Sequence, residues 1–321
     1  MSPRPAPGCA RRRAGGQWRQ DAGGTGMEQV AGVIGLGIMG GAMARNLQAA
    51  GWRVIGYDTD PARRAALAEA GIEVAADAVA AARAAPVLLT SLPKPAALHA
   101  TVKALAEAGL PPRLLVETST FTLEDKLAAE AALRAAGHAA LDCPLSGTGA
   151  QAERKDLVVY ASGDAQAIAR LAPFFAGFAR ATHDLGAYGN GTRMKFVANL
   201  LVAIHNLASA EAMVLAEKAG LDPAKVVELV ASGAATSRVF ELRAPMMAAK
   251  RYGPPTMRNA MWSKDMEVIG AFAASLNCPV PLFSAVLPLH AATLAAGFGG
   301  EDTAAIHAVL SRMAGLDGGE G

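Results

Sequence analysis

Aromatic residues make up only 5% of this 321-residue chain and charged residues 18%, against 52% hydrophobic. The shortage of aromatics argues against an aromatic-rich all-β protein. The alanine that takes their place favours helices, because Ala is the best helix former. So large an apolar share excludes an intrinsically disordered chain, which lacks the surface to offset its ordering entropy. No run reaches the roughly 20 apolar residues that a membrane span needs; even 196–207 is interrupted by Asn199, His205 and Asn206. Cysteine is scarce as well. Cys9, Cys143 and Cys278 have neither CxxC spacing nor a pairing framework, which suits a reducing cytosol and leads us to expect a cytoplasmic protein. Neither sign of charge dominates: the net charge is +2, and Arg4, Arg11, Arg12, Arg13 and Arg19 against Asp21 leave the remaining body mildly acidic. A body of that charge has no electrostatic reason to bind nucleic acid.

The length allows about two domains. Residues 1–26 are rich in Pro, Gly and Arg without hydrophobic periodicity and lack the apolar core of a secretory signal, so a disordered basic tail upstream of a start at Met27 is expected. From Val30 short β-like runs (30–34, 53–57, 87–91, 113–117, 139–142 and 157–161) alternate with helical stretches (39–50, 61–69, 96–107 and 123–136). Strands separated by helices of 10–15 residues imply βαβ units and a parallel sheet. Gly51, Gly71, Gly109 and Gly137 stand just past successive helices, where a C-cap favours glycine. After Gly191 no strand is expected; 192–220, 222–232, 238–250, 258–277 and 284–296 read as helices. The expected fold is therefore α/β: a Rossmann-type doubly wound domain over 27–190, then an all-helical domain over 191–321 for substrate binding and oligomerisation.

Gly35-Leu36-Gly37-Ile38-Met39-Gly40 places G-x-G-x-x-G directly after the first strand and at the start of the first helix. The first glycine permits the tight turn, the second lets backbone approach a pyrophosphate, and the third lets helix and strand pack closely. The helix N-terminus adds free N–H groups and a partial positive charge. Asp58 ends strand two, where it would accept the ribose hydroxyls of NAD and repel the 2′-phosphate of NADP. NAD is the expected cofactor; NADP stays open, because Arg63 and Arg64 follow, although they read as the solvated face of the next helix. Further along, Lys195 and Asn199 lie four apart on one helical face. A lysine can relay the proton of an alcohol during hydride transfer, and an amide beside it can orient the hydroxyl. Acting as a base near pH 7–8 requires a drop of about three units from the usual ~10.4, which burial in a cleft can supply.

Four segments together resemble the β-hydroxyacid dehydrogenase family, which includes 3-hydroxyisobutyrate dehydrogenase and tartronate semialdehyde reductase. They are 32–40 (GVIGLGIMG) with 43–47 and Tyr57-Asp58; 142–148 (DCPLSGT); Gly189-x-Gly191-x-x-x-Lys195-x-x-x-Asn199; and Lys264-Asp265. The resemblance implies that Lys195 is the catalytic acid/base and Asn199 its partner. It further implies that Ser146, Gly147 and Thr148 grip a substrate carboxylate, that Leu92, Pro93 and Thr120 line the cofactor, and that Lys264 closes over it. The implied reaction passes a hydride between NAD(H) and a small β-hydroxy acid or its semialdehyde. The chain departs from the family pattern at Thr148 (second glycine of S-G-G), Ala198 (Asn or His), Glu117 (Asp of D-x-S-T), Leu123 (Pro) and Arg238 (often aromatic).

The rival readings are an imine reductase, a non-catalytic NAD(P)-binding module and, more remotely, a flavoprotein; the presence of Lys195 speaks against the first two. His205 projects about 280° around the helix from Lys195, and no His, Cys, Asp or Glu spacing suggests a metal site. Cys143 reads as packing, and Met194, Met213, Met246, Met247 and Met261 as fillers between helices. The apolar faces of the helical half predict a homodimer or homotetramer.

Overall fold

The computed structural model describes residues 28–316, so the readings of 1–26 and of Met27 as a start lie outside the described residues. In chain order the elements are β1 (Val30–Ile34), α1 (Ile38–Ala49), β2 (Arg53–Tyr57), α2 (Pro61–Glu69), β3 (Glu73–Val74), α3 (Ala78–Ala84), β4 (Val87–Thr90), α4 (Pro95–Glu107), β5 (Leu114–Glu117), α5 (Leu123–Ala135), β6 (Ala139–Asp142), β7 (Leu145–Ser146), α6 (Gly149–Glu153), β8 (Val158–Ala161), α7 (Ala165–Arg170), α8 (Ala172–Phe178) and β9 (Ala181–Asp184). Helices alone follow: α9 (Asn190–Lys218), α10 (Pro223–Ala231), α11 (Arg238–Ala248), α12 (Asn259–Ser275), α13 (Pro281–Ala295) and α14 (Ile306–Met313).

β1 and β4 are buried throughout, as strands covered by helices on both faces must be. They sit at the centre of a six-stranded sheet in the order β3-β2-β1-β4-β5-β6, parallel at every pairing. The strand order reverses between β1 and β4, so a crevice opens at their carboxyl ends, the usual ligand position in open α/β sheets. All four expected C-cap glycines take positive φ.

The expected strand at 157–161 does not join this sheet. As β8 it pairs antiparallel with β7 and parallel with β9 in a separate three-stranded sheet, which an Asp142–Ser162 bridge links to the main one. The sixth strand of the main sheet is instead β3, only two residues long and exposed, with no apolar pattern to announce it. α8 packs on α1 beneath this region. There Phe174 meets Trp52 edge to face at 5.1 Å, a geometry worth about 0.5–1.5 kcal/mol beyond area burial.

α9 is a 29-residue rod around which the other late helices gather. Among the described residues it is the one helix long and apolar enough to cross a membrane, yet 44% of that stretch is buried inside the protein. Its apolar side chains serve a core: Phe196, Ala203, Ala210 and Met213 pack with Phe240, Trp262 and Phe283. Met213 and Met247 fill this core as expected. Met194 and Met261 do not: they stand on outer faces, Met261 at 62% exposure.

Candidate active site

The crevice at β1 and β4 is shaped by missing side chains. A Cβ on Gly35 would strike the carbonyl of Ser91, and one on Gly40 would strike the carbonyl of Gly35, so loop, strand and helix can approach this closely only as glycines. Gly35 also has φ +91°, open to glycine without strain. α1 then begins with neither a side-chain cap nor an acidic residue in its first turn. Asp60, Asp77, Thr122, Asp164, Asp222 and Ser237 cap α2, α3, α5, α7, α10 and α11, whereas α1 shares its uncapped start with α4, α8, α9, α12, α13 and α14 and differs in opening on the glycine loop. The leading N–H groups of α1 are thus left for an anion, as a bound pyrophosphate requires. Leu36, Gly37, Ile38 and Met39 complete that turn. Asp58, 7% exposed at the end of β2, accepts from Leu36 N at 2.7 Å and Asp60 N at 2.9 Å. Burial would raise its pKa, but those two N–H groups and Arg63 outweigh it and hold the carboxyl below its usual value. The residues present fit a dinucleotide.

Around the loop the other segments close a ring. Leu92 contacts the Gly35 turn, and its N–H donates to Ser119 Oγ at 2.8 Å. Pro93 is exposed beside it and Thr120 half-buried; among the described residues the Thr120 hydroxyl takes no protein partner. Next to Thr120, the ring of Phe121 receives Lys264 Nζ from α12 at 5.2 Å, a cation–π contact that joins the two halves of the chain. Opposite, Ile38 lies 2.5 Å from where a Cβ on Gly149 would project, so the dinucleotide loop adjoins the segment that follows Thr148.

Lys195 reaches into this ring. Its Nζ donates to Leu145 O at 2.6 Å, one residue before Ser146. Burial pulls the Lys195 pKa down; Asp265 opposes the shift and Lys264 assists it. Asn199, a turn further along α9, donates from Nδ2 to Asp265 Oδ2 at 2.8 Å. Burial raises the Asp265 pKa against the pull of Lys264 and Lys195. Ser146 is half-buried and Gly147 holds φ +137°, where a Cβ would meet Leu157. Thr148 behaves differently from its neighbours. Its N–H at 3.0 Å and its hydroxyl at 3.3 Å both go to Gln151 Oε1, so the residue in the second-glycine position ties down the start of α6. Arg238 pairs with Glu241 on its own helix at 2.9 Å and faces solvent.

The rod that carries Lys195 is anchored by a cluster the sequence reading did not identify. Asp142 Oδ2 accepts from Thr192 N at 2.7 Å, Asp142 Oδ1 accepts from Thr192 Oγ1 at 2.8 Å, and Gly191 N donates to Ser162 Oγ at 2.9 Å. Behind Asp142 lies Lys126, wholly buried, 3.0 Å from Asp142 Oδ1 and paired also with Glu117. Burial would lower the Lys126 pKa, but the two carboxylates outweigh it and hold it above its usual value. Glu117, one of the departures from the family pattern, thus forms a buried ion pair. A signal was present: Lys126, Ala129 and Leu133 mark one inward face of α5 at helical spacing. Asp265 was likewise quoted only as part of a motif, with no role. Cys143 is buried and its thiol pKa pushed up, first by burial and then by Asp142, as befits packing.

Residues 30–188 match the model of the NAD binding domain of 6-phosphogluconate dehydrogenase, and residues 189–310 that described as NAD-binding of NADP-dependent 3-hydroxyisobutyrate dehydrogenase. The L-threonate dehydrogenase of Escherichia coli K12 is 31% identical over 294 residues, 89% of this chain and 96% of that protein. A solved 3-hydroxyisobutyrate dehydrogenase from Salmonella typhimurium is 30% identical, with a TM-score of 0.78 over 87% of this chain and 99% of the other. The Mycobacterium tuberculosis 3-hydroxyisobutyrate dehydrogenase, solved with L-serine, is 27% identical, with a TM-score of 0.81 over 88% and 99%. Sequence likeness along nearly the whole described length, a shared two-part architecture and the ring of residues around Lys195 lead to one conclusion: the chain belongs to the β-hydroxyacid dehydrogenase family.

Proposed function

We propose that this NAD(P)-dependent 3-hydroxyacid dehydrogenase oxidises a small β-hydroxy acid to its semialdehyde, and reduces it back, with Lys195 as acid/base. The observation that carries the reading is the Lys195–Leu145 contact, which brings a lysine of lowered pKa beside Ser146 and Gly147. The hydroxyl of Ser146, which takes no protein partner among the described residues, and the backbone of Gly147 offer donors for the substrate carboxylate. Asn199, held by Asp265, orients the reacting oxygen. In oxidation the neutral Lys195 amine takes the hydroxyl proton; in reduction the ammonium returns it to the carbonyl oxygen. A bound nicotinamide supplies or accepts the hydride. Gly35, Gly37 and Gly40 with the N-terminus of α1 would hold its pyrophosphate and Asp58 its ribose, which favours NAD.

A lysine at the proton-donor position supports hydroxy acids over imines as substrates. Lys195→Ala is expected to lower kcat about 10²–10⁴-fold in assays of NADH absorbance against three- and four-carbon semialdehydes; turnover equal to wild type would remove Lys195 from the mechanism.

The same proposal divides the chain at 190/191 and assigns it a cytoplasmic location, where the unpaired thiols of Cys143 and Cys278 persist. It also includes assembly as a homodimer or homotetramer through the helical half. α10 buries none of its residues fully, and Leu201, Leu215, Leu229 and Leu282 are exposed there. Oligomers cover such faces.

A further inference from the structure

We infer that Arg63 sets how this chain discriminates between the two nicotinamide dinucleotides, and that the Asp58–Arg63 pair lets one site accept both. The inference rests on the proposed dinucleotide reading of the glycine loop. A lone carboxylate at the end of β2 would repel a 2′-phosphate. Asp58 is not alone. Arg63, in the first turn of α2, places Nη1 3.3 Å from Asp58 Oδ2. The same Nη1 lies 3.5 Å from where a Cβ on Gly37 would project, so the guanidinium spans from the ribose carboxylate to the glycine that would face the pyrophosphate. Its Nε stands 3.4 Å from Asp60 Oδ2, and the side chain is 49% exposed. Arg63 is solvated, as its place in the sequence suggests, and it is also paired with two carboxylates.

The chemistry follows from donor counting. Both Asp58 oxygens already accept a backbone N–H, from Leu36 and from Asp60, so the carboxylate keeps its place without Arg63. A guanidinium carries five N–H donors in a planar fork suited to phosphate, and its contacts with Asp58 and Asp60 leave donors over. Arg63 offsets the charge of Asp58 and offers those donors to a phosphate monoester on the adenosine ribose. Arg64 plays no such part: its Nη1 donates to Asp58 O at 2.5 Å and braces the turn.

The test is titration of the full chain with NADH and NADPH, followed by fluorescence of the bound dihydronicotinamide, with ADP and 2′,5′-ADP as competitors. Wild type is expected to bind both coenzymes. Arg63→Ala is expected to raise the ratio of the NADPH Kd to the NADH Kd about tenfold or more, since charge-assisted hydrogen bonds are lost for one ligand only. The 2′,5′-ADP to ADP ratio should rise with it, Arg63→Lys should fall between, and Asp58→Asn should lower the ratio. An unchanged ratio in Arg63→Ala overturns the inference and leaves the dinucleotide site standing, as does wild type that binds NADH and refuses NADPH. Wild type that binds neither coenzyme overturns the site reading and this inference with it.

Discussion

Gly191→Ala tests whether the docking of α9 places the catalytic lysine. A Cβ at residue 191 would lie 2.7 Å from Asp142 O and 3.0 Å from Pro144 Cδ, with Tyr160 O nearer still. Two of the three obstacles are backbone carbonyls, which cannot swing aside as a side chain can. Restoring an ordinary contact means lifting the start of α9 by about 1 Å, the scale at which misplacing a catalytic group costs about 10²-fold. The lift also stretches the 2.9 Å Gly191–Ser162 and 2.7 Å Thr192–Asp142 bonds, and carries Lys195, one turn on, away from Leu145. Overpacking of this kind costs about 1–3 kcal/mol of stability. The assay pairs kcat for semialdehyde reduction with the NADH Kd and a thermal melt. We expect kcat to fall about 100-fold while coenzyme affinity holds, because the glycine loop lies elsewhere. A folded Gly191→Ala protein with wild-type kcat would refute the idea that this close approach aims the lysine.

Electrostatics yields a signed pair of further predictions. Asp265 raises the Lys195 pKa and Lys264 lowers it. Since oxidation needs the neutral amine, Asp265→Asn should move the rising limb of its pH profile to lower pH and Lys264→Met to higher pH; shifts of the opposite sign would sink the assignment. Lys126→Met strands two buried carboxylates, so denaturant unfolding should show a loss of about 3–5 kcal/mol, and a loss within error would mean the cluster is not holding α9. The Lys195→Ala kinetics and the Arg63 coenzyme ratios complete the set.

β1, β2, β6 and α2 fall at the expected bounds, the strands through their apolar runs and α2 through helix-forming alanines behind Pro61. β3, β7 and β9 were not, since strands of two to four residues with exposed or mixed faces carry no period and exist only because a neighbour pairs with them. α3 (AVAAARA) was missed for a related reason: in a nearly all-alanine segment, apolar spacing marks no face. In the site, the Gly35–Gly40 turn and the Lys195/Asn199 face could be read because local chain geometry alone produces them. Thr148 was missed although a local signal was present: Thr148-x-x-Gln151 has the spacing of a capping box at the start of α6.

The order of residues by itself determined which segments are strands or rods, where a phosphate can approach bare backbone, and that an amine and an amide share one side of α9. Folding alone decided their charge states and partners. Burial lowers the proton affinity of Lys195, Asp265 fastens Asn199 from 66 positions away, and Arg63 comes to rest against Gly37 of the glycine turn. The free energy of a charge is set by the water it loses and the charges it meets, and both are properties of packing between segments distant along the chain.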